Sequence, residues 1–204
     1  SNGIYIGDIE LIAYESRASK SRKSAVLKLL HKPENVAADI FDWLGIRMVT
    51  RYPLDALRVL CYLRKHNVVM FANIKPSRSR NNLIDADWVE ERWKGVEDLA
   101  QVSADLEATQ FPKEVGRMDE NAFSGSSYRT LQFTCRQRIR LQEPNGRPIR
   151  FYFPYEIQIQ DEDSYLSNRD GEASHEQYKK RQIRAVRYRV MGNLCRKLNR
   201  EVAS

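Results

Sequence analysis

Cysteine is scarce in this chain, and long apolar segments are missing from it. The 204 residues include three cysteines, Cys61, Cys135 and Cys195, and their wide separation gives neither a metal-ligand spacing nor a disulfide framework. Such cysteine usage predicts a reducing, cytoplasmic location. No apolar run approaches the roughly 20 residues that a membrane-spanning helix needs. The sequence therefore predicts neither a secretion signal nor a membrane partner.

Acidic residues are absent from two stretches and concentrated in a third. Residues 16–33 hold six Lys or Arg and no acid, and residues 177–200 hold nine and no acid. Residues 85–120 hold eleven acids and four bases, a net charge of −7, so the rest of the +7 chain carries +14. This polarisation is typical of a protein that binds polyanions such as nucleotides or RNA. A solvated helix face is the alternative explanation for any single run.

Short strands and helices alternate in the first third of the chain. Strands are predicted over three segments: residues 9–15, 45–51 and 68–71. A first helix would begin after Ser19 or Ser21 and bury Val26, Leu29 and Leu30. A second would run from Pro53 to about His66. The alternation predicts an α/β (α+β) fold with helices packed on a sheet.

An acidic segment interrupts this alternation. Residues 87–110 carry apolar side chains at helical spacing with acids mostly on the other face, which predicts one long amphipathic helix. It would lie inside an insertion at about residues 76–125. Trp88 and Trp93 are interpreted as packing residues rather than a stacking platform. The helix would pack on the domain or on a second subunit, which leaves a homo-oligomer as an alternative, and its acids could limit access of polyanions.

Two alternating strands and a basic helix complete the chain. The strands cover about residues 130–141 and 149–160, and Pro144-Asn145-Gly146 between them is typical of a hairpin turn. Matching their apolar faces places Glu156 on one face with Thr134 and Arg136, near two amides, Gln132 and Gln158. That face is either a site or a solvated outer surface. The last helix is predicted over residues 175–199 and carries most of the nine bases.

Four short patches follow one another in a specific order. They are Lys20-x-x-x-Ser24-x-x-x-Lys28, Asp42-x-x-Gly45-x-Arg47, Ser127-Tyr128-Arg129-Thr130-Leu131-Gln132, and Glu156-Ile157-Gln158-Ile159 followed by His175-x-x-Tyr178-Lys179. The ordered set resembles the synthetase domain of the RelA/SpoT family, the alarmone synthetases, and covers nearly the whole chain apart from the insertion. The chain has no room for the family's hydrolase domain, so the likeness is to the small stand-alone members.

The resemblance implies a fold and a reaction. The fold would be nucleotidyltransferase-like, a mixed five-stranded sheet flanked by helices, in one synthetase domain over residues 3–204 with the acidic helical insertion. The reaction would move the β,γ-pyrophosphate of ATP, with Mg²⁺, onto the 3′ hydroxyl of GDP or GTP, as in the stringent response. Two alternatives stay open. One is a toxin-like member that pyrophosphorylates tRNA 3′ ends or another purine nucleotide, and the other is a non-catalytic module that binds nucleotides or RNA.

The resemblance also assigns roles to individual residues. Asp42 and Glu156 match the catalytic pair that holds the metal, and Glu156 serves as metal ligand or as the base for the acceptor hydroxyl; carboxylates are the protein ligands that Mg²⁺ prefers. The ATP-binding set would be Arg17, Lys20, Lys23, Ser24, Lys28 and Arg47, with Arg47 packing on the adenine ring. The acceptor-binding set would be Tyr128, Gln158, His175 and Lys179, with Tyr128 stacking on the base.

Several positions depart from the family pattern. Ala18 stands where an Arg is expected, with Arg17 one position away. Ser127, Gln132 and Gln160 replace an expected Gly, His and Arg. These departures leave the carboxylate pair intact and the identity of the acceptor open.

Overall fold

A six-stranded mixed sheet forms the centre of the protein. The computed structural model describes residues 3–30, 36, 40–95, 128–144, 146–170 and 175–202, without the side chains of residues 86, 88, 170, 175–177 and 193–202. The strands are β1 (Ile4–Ile6), β2 (Ile9–Arg17), β3 (Leu44–Thr50), β4 (Ile74–Asn81), β5 (Leu131–Gln142) and β6 (Pro148–Asp161). Their order across the sheet is β1-β2-β3-β6-β5-β4, and β3 and β6 run parallel while the other neighbours run antiparallel.

This architecture confirms the predicted α/β class and corrects the strand count from five to six. The additional strand, β1, forms a tight hairpin with β2. Gly7 in the connecting turn has φ +63°, a conformation that side-chain-bearing residues rarely adopt. A three-residue strand at a sheet edge carries too little periodicity for the sequence pattern to predict it.

The described residues form five helices beside the sheet: α1 (Arg22–Leu30), α2 (Pro53–Lys65), α3 (Ala86–Arg92), α4 (Glu162–Asp170) and α5 (His175–Val202). The Oγ of Ser21 accepts a hydrogen bond from the Ser24 amide at 3.3 Å, which confirms the predicted start of α1. The predicted apolar face of α1 is wrong: Val26 and Leu30 are exposed and Ala25 is buried. The reason is that the polar positions of this helix, Ser24 and Lys28, line a pocket.

The hydrophobic core lies between the sheet and α2. Val59 of α2, Met48 of β3 and Ile159 of β6 belong to one buried cluster, and none of them is more than 2% exposed. Leu83, which follows β4, is equally buried in the same cluster. Burying an aliphatic side chain of this kind contributes about 1.5–3 kcal/mol, so this layer holds the strands of the site in place.

The strand predicted over residues 68–71 is wrong. Phe71–Asn73 is a turn of 3₁₀ helix, and the strand is β4, which begins at Ile74. β4 pairs only with β5 at the sheet edge, where a proline such as Pro76 does not interrupt hydrogen bonding to a second neighbour. The sheet thus takes up residues 76–81 of the segment predicted as an insertion.

Beyond β4, the acidic segment is described only in part. Ala86–Arg92 is helical, and Trp93 is buried, which agrees with a packing role. Residues 96–127, with most of the predicted 87–110 helix, and the side chain of Trp88 lie outside the described residues. Within the described part of the chain, no helix is long and apolar enough to cross a membrane.

The β5–β6 hairpin places Glu156 on one face with Thr134 and Arg136, as predicted. Leu131 lies opposite Ile159, Thr134 opposite Glu156, and the pairing continues unbroken to Gln142 opposite Pro148. β4 pairs with β5 only as far as Cys135, and β3 pairs with β6 only from Tyr155 onward. The remaining part, residues 136–142 and 148–154, is therefore a two-stranded ribbon that extends past the sheet. We call it the ribbon.

Candidate active site

A polar pocket of about 1340 Å³ opens on the face of the sheet that carries Glu156. Ten of the predicted site residues line it: Arg17, Lys20, Ser24, Lys28, Asp42, Arg47, Tyr128, Glu156, Gln158 and Lys179. Lys23 is exposed on α1 and is not part of the lining. His175 is the first residue of α5, and its side chain lies outside the described residues. Residues far apart in sequence thus meet in one cavity.

Two lysines hold the carboxylate of Asp42. Asp42 stands just before β3; its Oδ1 accepts a hydrogen bond from Lys28 Nζ at 2.7 Å, and its Oδ2 accepts one from Lys20 Nζ. The side chains of Asp42 and Lys20 are only 12% and 9% exposed. Burial by itself raises the pKa of Asp42, but the charge of Lys28 and the hydrogen bonds from both lysines lower it to about 2. Asp42 is thus a fixed anion at any physiological pH.

Arg17 and Lys20 complete the basic side of the pocket. Arg17 Nη2 donates to the backbone oxygen of Asp42 at 3.1 Å. Burial lowers the pKa of Lys20, and the hydrogen bond to Asp42 opposes that effect. These cations together with Lys28 exceed the single negative charge of Asp42. The surplus makes this end of the pocket suited to an anionic group such as a triphosphate.

Glu156 is the second carboxylate, and it is held by amides rather than cations. Its register partner in β3 is Gly45, three residues after Asp42, so both carboxylates lie near the end of the β3–β6 pairing where Leu44 meets Tyr155. Gln132 Nε2 donates to Oε1 at 2.8 Å and Gln158 Nε2 donates to Oε2 at 2.9 Å. Burial and then the negative charge of Asp42 raise the pKa of Glu156. A carboxylate with a raised pKa accepts a proton more readily than an ordinary one.

A chain of hydrogen bonds fixes Arg47 beside Glu156. Arg47 donates to Gln158 Oε1 from Nε at 3.3 Å and from Nη2 at 3.2 Å, and to Glu15 Oε2 from Nη1 at 2.8 Å. The hydroxyl of Tyr165 donates to Glu15 Oε1 at 2.7 Å. The guanidinium plane is held at the pocket wall, where it can pack on an aromatic base.

Tyr128 lies three residues before β5 and also lines the pocket. Its hydroxyl is 3.5 Å from Gln160 Nε2, and the Arg80 guanidinium lies 5.7 Å from the centre of its ring. Burial raises the pKa of Tyr128, so the phenol stays neutral. The ring is a partly covered aromatic surface inside a cationic pocket, an arrangement found where bases stack on proteins.

The sequence patterns missed a group of cations on β4. Lys75, Arg78 and Arg80 also line the pocket. The ring of Phe41 lies 4.1 Å from Lys75 Nζ and 5.5 Å from the Arg78 guanidinium, and Arg136 of β5 approaches it to 5.3 Å. The basic run from Lys75 to Arg80 could have indicated these cations, but most of that run falls within the segment predicted as an insertion.

The two carboxylates fit a magnesium ion better than they fit a transition metal. Among the described residues there is no cluster of three or more His, Cys, Asp or Glu side chains that could hold a metal. Mg²⁺ is commonly bound by one or two carboxylates together with substrate phosphates, because it keeps its remaining coordination positions for water and phosphate oxygens. Asp42 and Glu156 supply that minimum set beside a basic surface.

No family model matches the sequence, and no curated protein sequence matches it. In structure, the chain is similar to small alarmone synthetase 2 from Bacillus subtilis, with 16% identity and a TM-score of 0.42 over 97% of this chain and 81% of that one. It is also similar to small alarmone synthetase 1 from Bacillus subtilis bound to its product pppGpp, with 15% identity and a TM-score of 0.43 over 95% and 78%. A GTP pyrophosphokinase family protein from Streptococcus pneumoniae gives 15% identity and a TM-score of 0.39 over 95% and 74%. Alarmone synthetases are the proteins whose ordered sequence patches this chain resembles.

Proposed function

We propose that this protein is an ATP-dependent pyrophosphokinase that transfers the β,γ-pyrophosphate of ATP to the 3′ hydroxyl of a purine nucleotide such as GDP or GTP. The observation that carries the proposal is the pairing of two unlike carboxylates in one pocket. Asp42 is a permanent anion beside two lysines, and Glu156 is a buried carboxylate with a raised pKa. Phosphoryl-type transfer needs both, because one group holds charge and the other moves a proton.

The basic end of the pocket would hold the triphosphate. Lys20 and Lys28 now donate to Asp42, and both can turn the same ammonium groups toward phosphate oxygens. Ser24, one helical turn before Lys28, adds a hydroxyl donor from the same side of α1. Asp42 and Glu156 would hold Mg²⁺, which when bound supplies positive charge that neutralises the phosphates.

Glu156 would take the proton of the acceptor hydroxyl. The hydroxyl oxygen forms a bond to the β-phosphorus of ATP, the bond between that phosphorus and the α,β-bridging oxygen breaks, and AMP leaves. The amides of Gln132 and Gln158 fix both oxygens of Glu156, so its free lone pairs keep one direction. Positioning of this kind supplies much of the rate enhancement in transfer reactions that need little covalent chemistry from the protein.

The two bases would be held on opposite sides of the carboxylate. Arg47, fixed by Gln158 and Glu15, would pack on the adenine ring of ATP. Tyr128 would stack on the acceptor base, and Gln158, Lys179 and His175 would contact the acceptor. With this division, the scissile phosphate would lie between the bases and next to Glu156.

A direct assay tests the proposal. The purified protein is incubated with ATP, Mg²⁺ and one acceptor at a time, chosen from GDP, GTP, adenine nucleotides and tRNA, and the products are separated by chromatography. We expect AMP together with one new, more highly phosphorylated product. The Glu156→Gln variant should form neither, whereas Glu10→Gln, which alters an exposed glutamate of β2 outside the pocket, should act as wild type. Absence of a product with every acceptor would refute the proposal.

A second candidate acceptor is the 3′ end of an RNA such as tRNA. The observations that favour it are the basic composition of residues 177–200, with nine Lys or Arg, and the arginines of β5 and β6, which do not line the pocket. Phosphate contacts from such residues dominate RNA affinity. With ATP labelled at its γ-phosphate, the same assay separates the two candidates, because only transfer to tRNA puts the label on a macromolecule.

A further inference from the structure

The face of the ribbon that continues the pocket carries arginines and no acid. Residues alternate between the two faces of a strand, so the even-numbered residues of β5 and β6 lie on the side of Glu156. Passing outward from Glu156 and Thr134, the paired positions are Arg136 with Pro154, Arg138 with Tyr152, and Arg140 with Arg150. The register has no bulge along this path, so the face runs without interruption from the carboxylate to the hairpin end.

Three of these arginines have no ionic partner in the described part of the chain. Arg138, Arg140 and Arg150 are exposed and take part in none of the salt bridges found among the described residues. Neither strand of the ribbon contains an acidic residue. Same-face residues recur about every 6.8 Å along a strand, so the arginines form a row of positive charge with regular spacing. Tyr152, 57% exposed, lies within this row.

The other face of the ribbon has different chemistry. Ile139 lies opposite Phe151 and Leu141 opposite Ile149, and the last three of these side chains are substantially exposed. An anionic membrane seated on this apolar face would not touch the arginines, which point the opposite way. The basic face alone is continuous with the pocket, so a polyanion bound along it can extend to Glu156.

We propose that the basic face of the ribbon, formed by Arg138, Arg140, Arg150 and Tyr152, binds single-stranded RNA and leads its terminal ribose to the pocket. The proposal rests on the proposed function, since it deepens the identity of the acceptor. A row of cations that tracks the backbone, with an aromatic side chain for a base to stack on, is the combination by which proteins hold single strands. Free nucleotides are too short to span the ribbon and the pocket together.

Fluorescence anisotropy with a 5′-labelled 12-nucleotide single-stranded RNA tests the proposal without requiring catalysis. The variant Arg138→Gln/Arg140→Gln/Arg150→Gln should bind at least about tenfold more weakly than wild type at moderate salt. The plot of log affinity against log salt should become shallower by about 2, since each lost contact to a single strand contributes about 0.7. Tyr152→Ala should weaken binding by about fivefold or more, and Tyr152→Phe should restore it.

A matched control separates the ribbon from a general effect of charge. The variant Arg51→Gln/Arg64→Gln/Lys65→Gln also removes three positive charges, which lie on and beside α2. It should leave RNA affinity within about twofold of wild type. Three results would each overturn the proposal. RNA affinity could fall equally in both triple variants, it could stay unchanged in the ribbon variant, or the ribbon arginines could be needed for binding to phosphatidylserine vesicles and not to RNA. Thermal melting shows that each variant is folded.

The outcome also separates this inference from the proposed function. The protein could transfer pyrophosphate to free nucleotides while its RNA binding does not depend on the ribbon arginines. This result refutes the inference and leaves the proposed pyrophosphokinase activity intact. Ribbon-dependent RNA binding with no transfer to any acceptor refutes the pyrophosphokinase and leaves the RNA surface in place.

Discussion

Replacing Asp42 with asparagine should destabilise the protein by an amount that depends on pH. A pKa of about 2 in place of the usual 3.8 corresponds to about 2 kcal/mol that favours the ionised carboxylate in the folded state. The side chain is only 12% exposed, so solvent does not screen this interaction away. Asp42→Asn leaves two lysine ammonium groups facing a neutral amide. We expect a loss of about 2 kcal/mol in the free energy of unfolding at pH 7, in a protein that stays folded.

Urea unfolding of both proteins across pH measures this effect. Because the folded pKa is depressed, the stabilisation is complete above pH 3.8 and is lost as pH falls towards 2, so the difference between wild type and variant should shrink over that interval. Asp8→Asn is the control, since Asp8 is 80% exposed and pairs with Arg58 at the surface, and it should change stability far less. A difference between wild type and Asp42→Asn that is absent at pH 7, or that persists unchanged below pH 2, would refute the assignment of Asp42 as a buried anion held by two lysines.

Three further predictions concern the site and its surroundings. Glu156→Gln should abolish transfer yet keep or raise the melting temperature, because burial disfavours the charged carboxylate; turnover near the wild-type rate would remove its role. Tyr128→Ala should raise KM for the acceptor by about 5- to 150-fold, the equivalent of about 1–3 kcal/mol of stacking, and KM for ATP much less, whereas Tyr128→Phe should change neither strongly. Equal effects on both substrates would make Tyr128 structural. Deleting residues 96–120, which hold seven acids and two bases, should strengthen polyanion binding at low salt and lose that effect at high salt; unchanged binding by a folded deletion protein would exclude an electrostatic gate.

The parts of the fold that follow apolar alternation were predictable from sequence. The β5–β6 hairpin is the clearest example, since matching apolar faces placed Glu156 on one face with Thr134 and Arg136, and the structure pairs Glu156 with Thr134 on that face. The start of α1 was equally accessible, because a serine cap has a specific local chemistry. Both features depend on residues that are close in sequence or that alternate along one face of a strand, and a sequence pattern shows relations of this kind.

Elements with polar side chains facing the pocket were not predictable in the same way. β4 consists mainly of cations and serines, because it lies at the sheet edge with one face on the pocket. The same holds for α5, where the polar Gln182 is buried and lines the pocket while the apolar Val190 is 58% exposed. The clamp of Lys20 and Lys28 on Asp42 joins residues 14 to 22 positions apart, and only the folded chain brings them together.

Tracing the position of label from ATP tests the central claim most directly. The protein is incubated with Mg²⁺, an acceptor nucleotide and ATP labelled with ³²P at either the β or the γ position, in parallel reactions. A pyrophosphokinase transfers both labels to the same acceptor product and leaves unlabelled AMP. Transfer of the γ label alone, as by an ordinary kinase, or of neither label, would contradict the account.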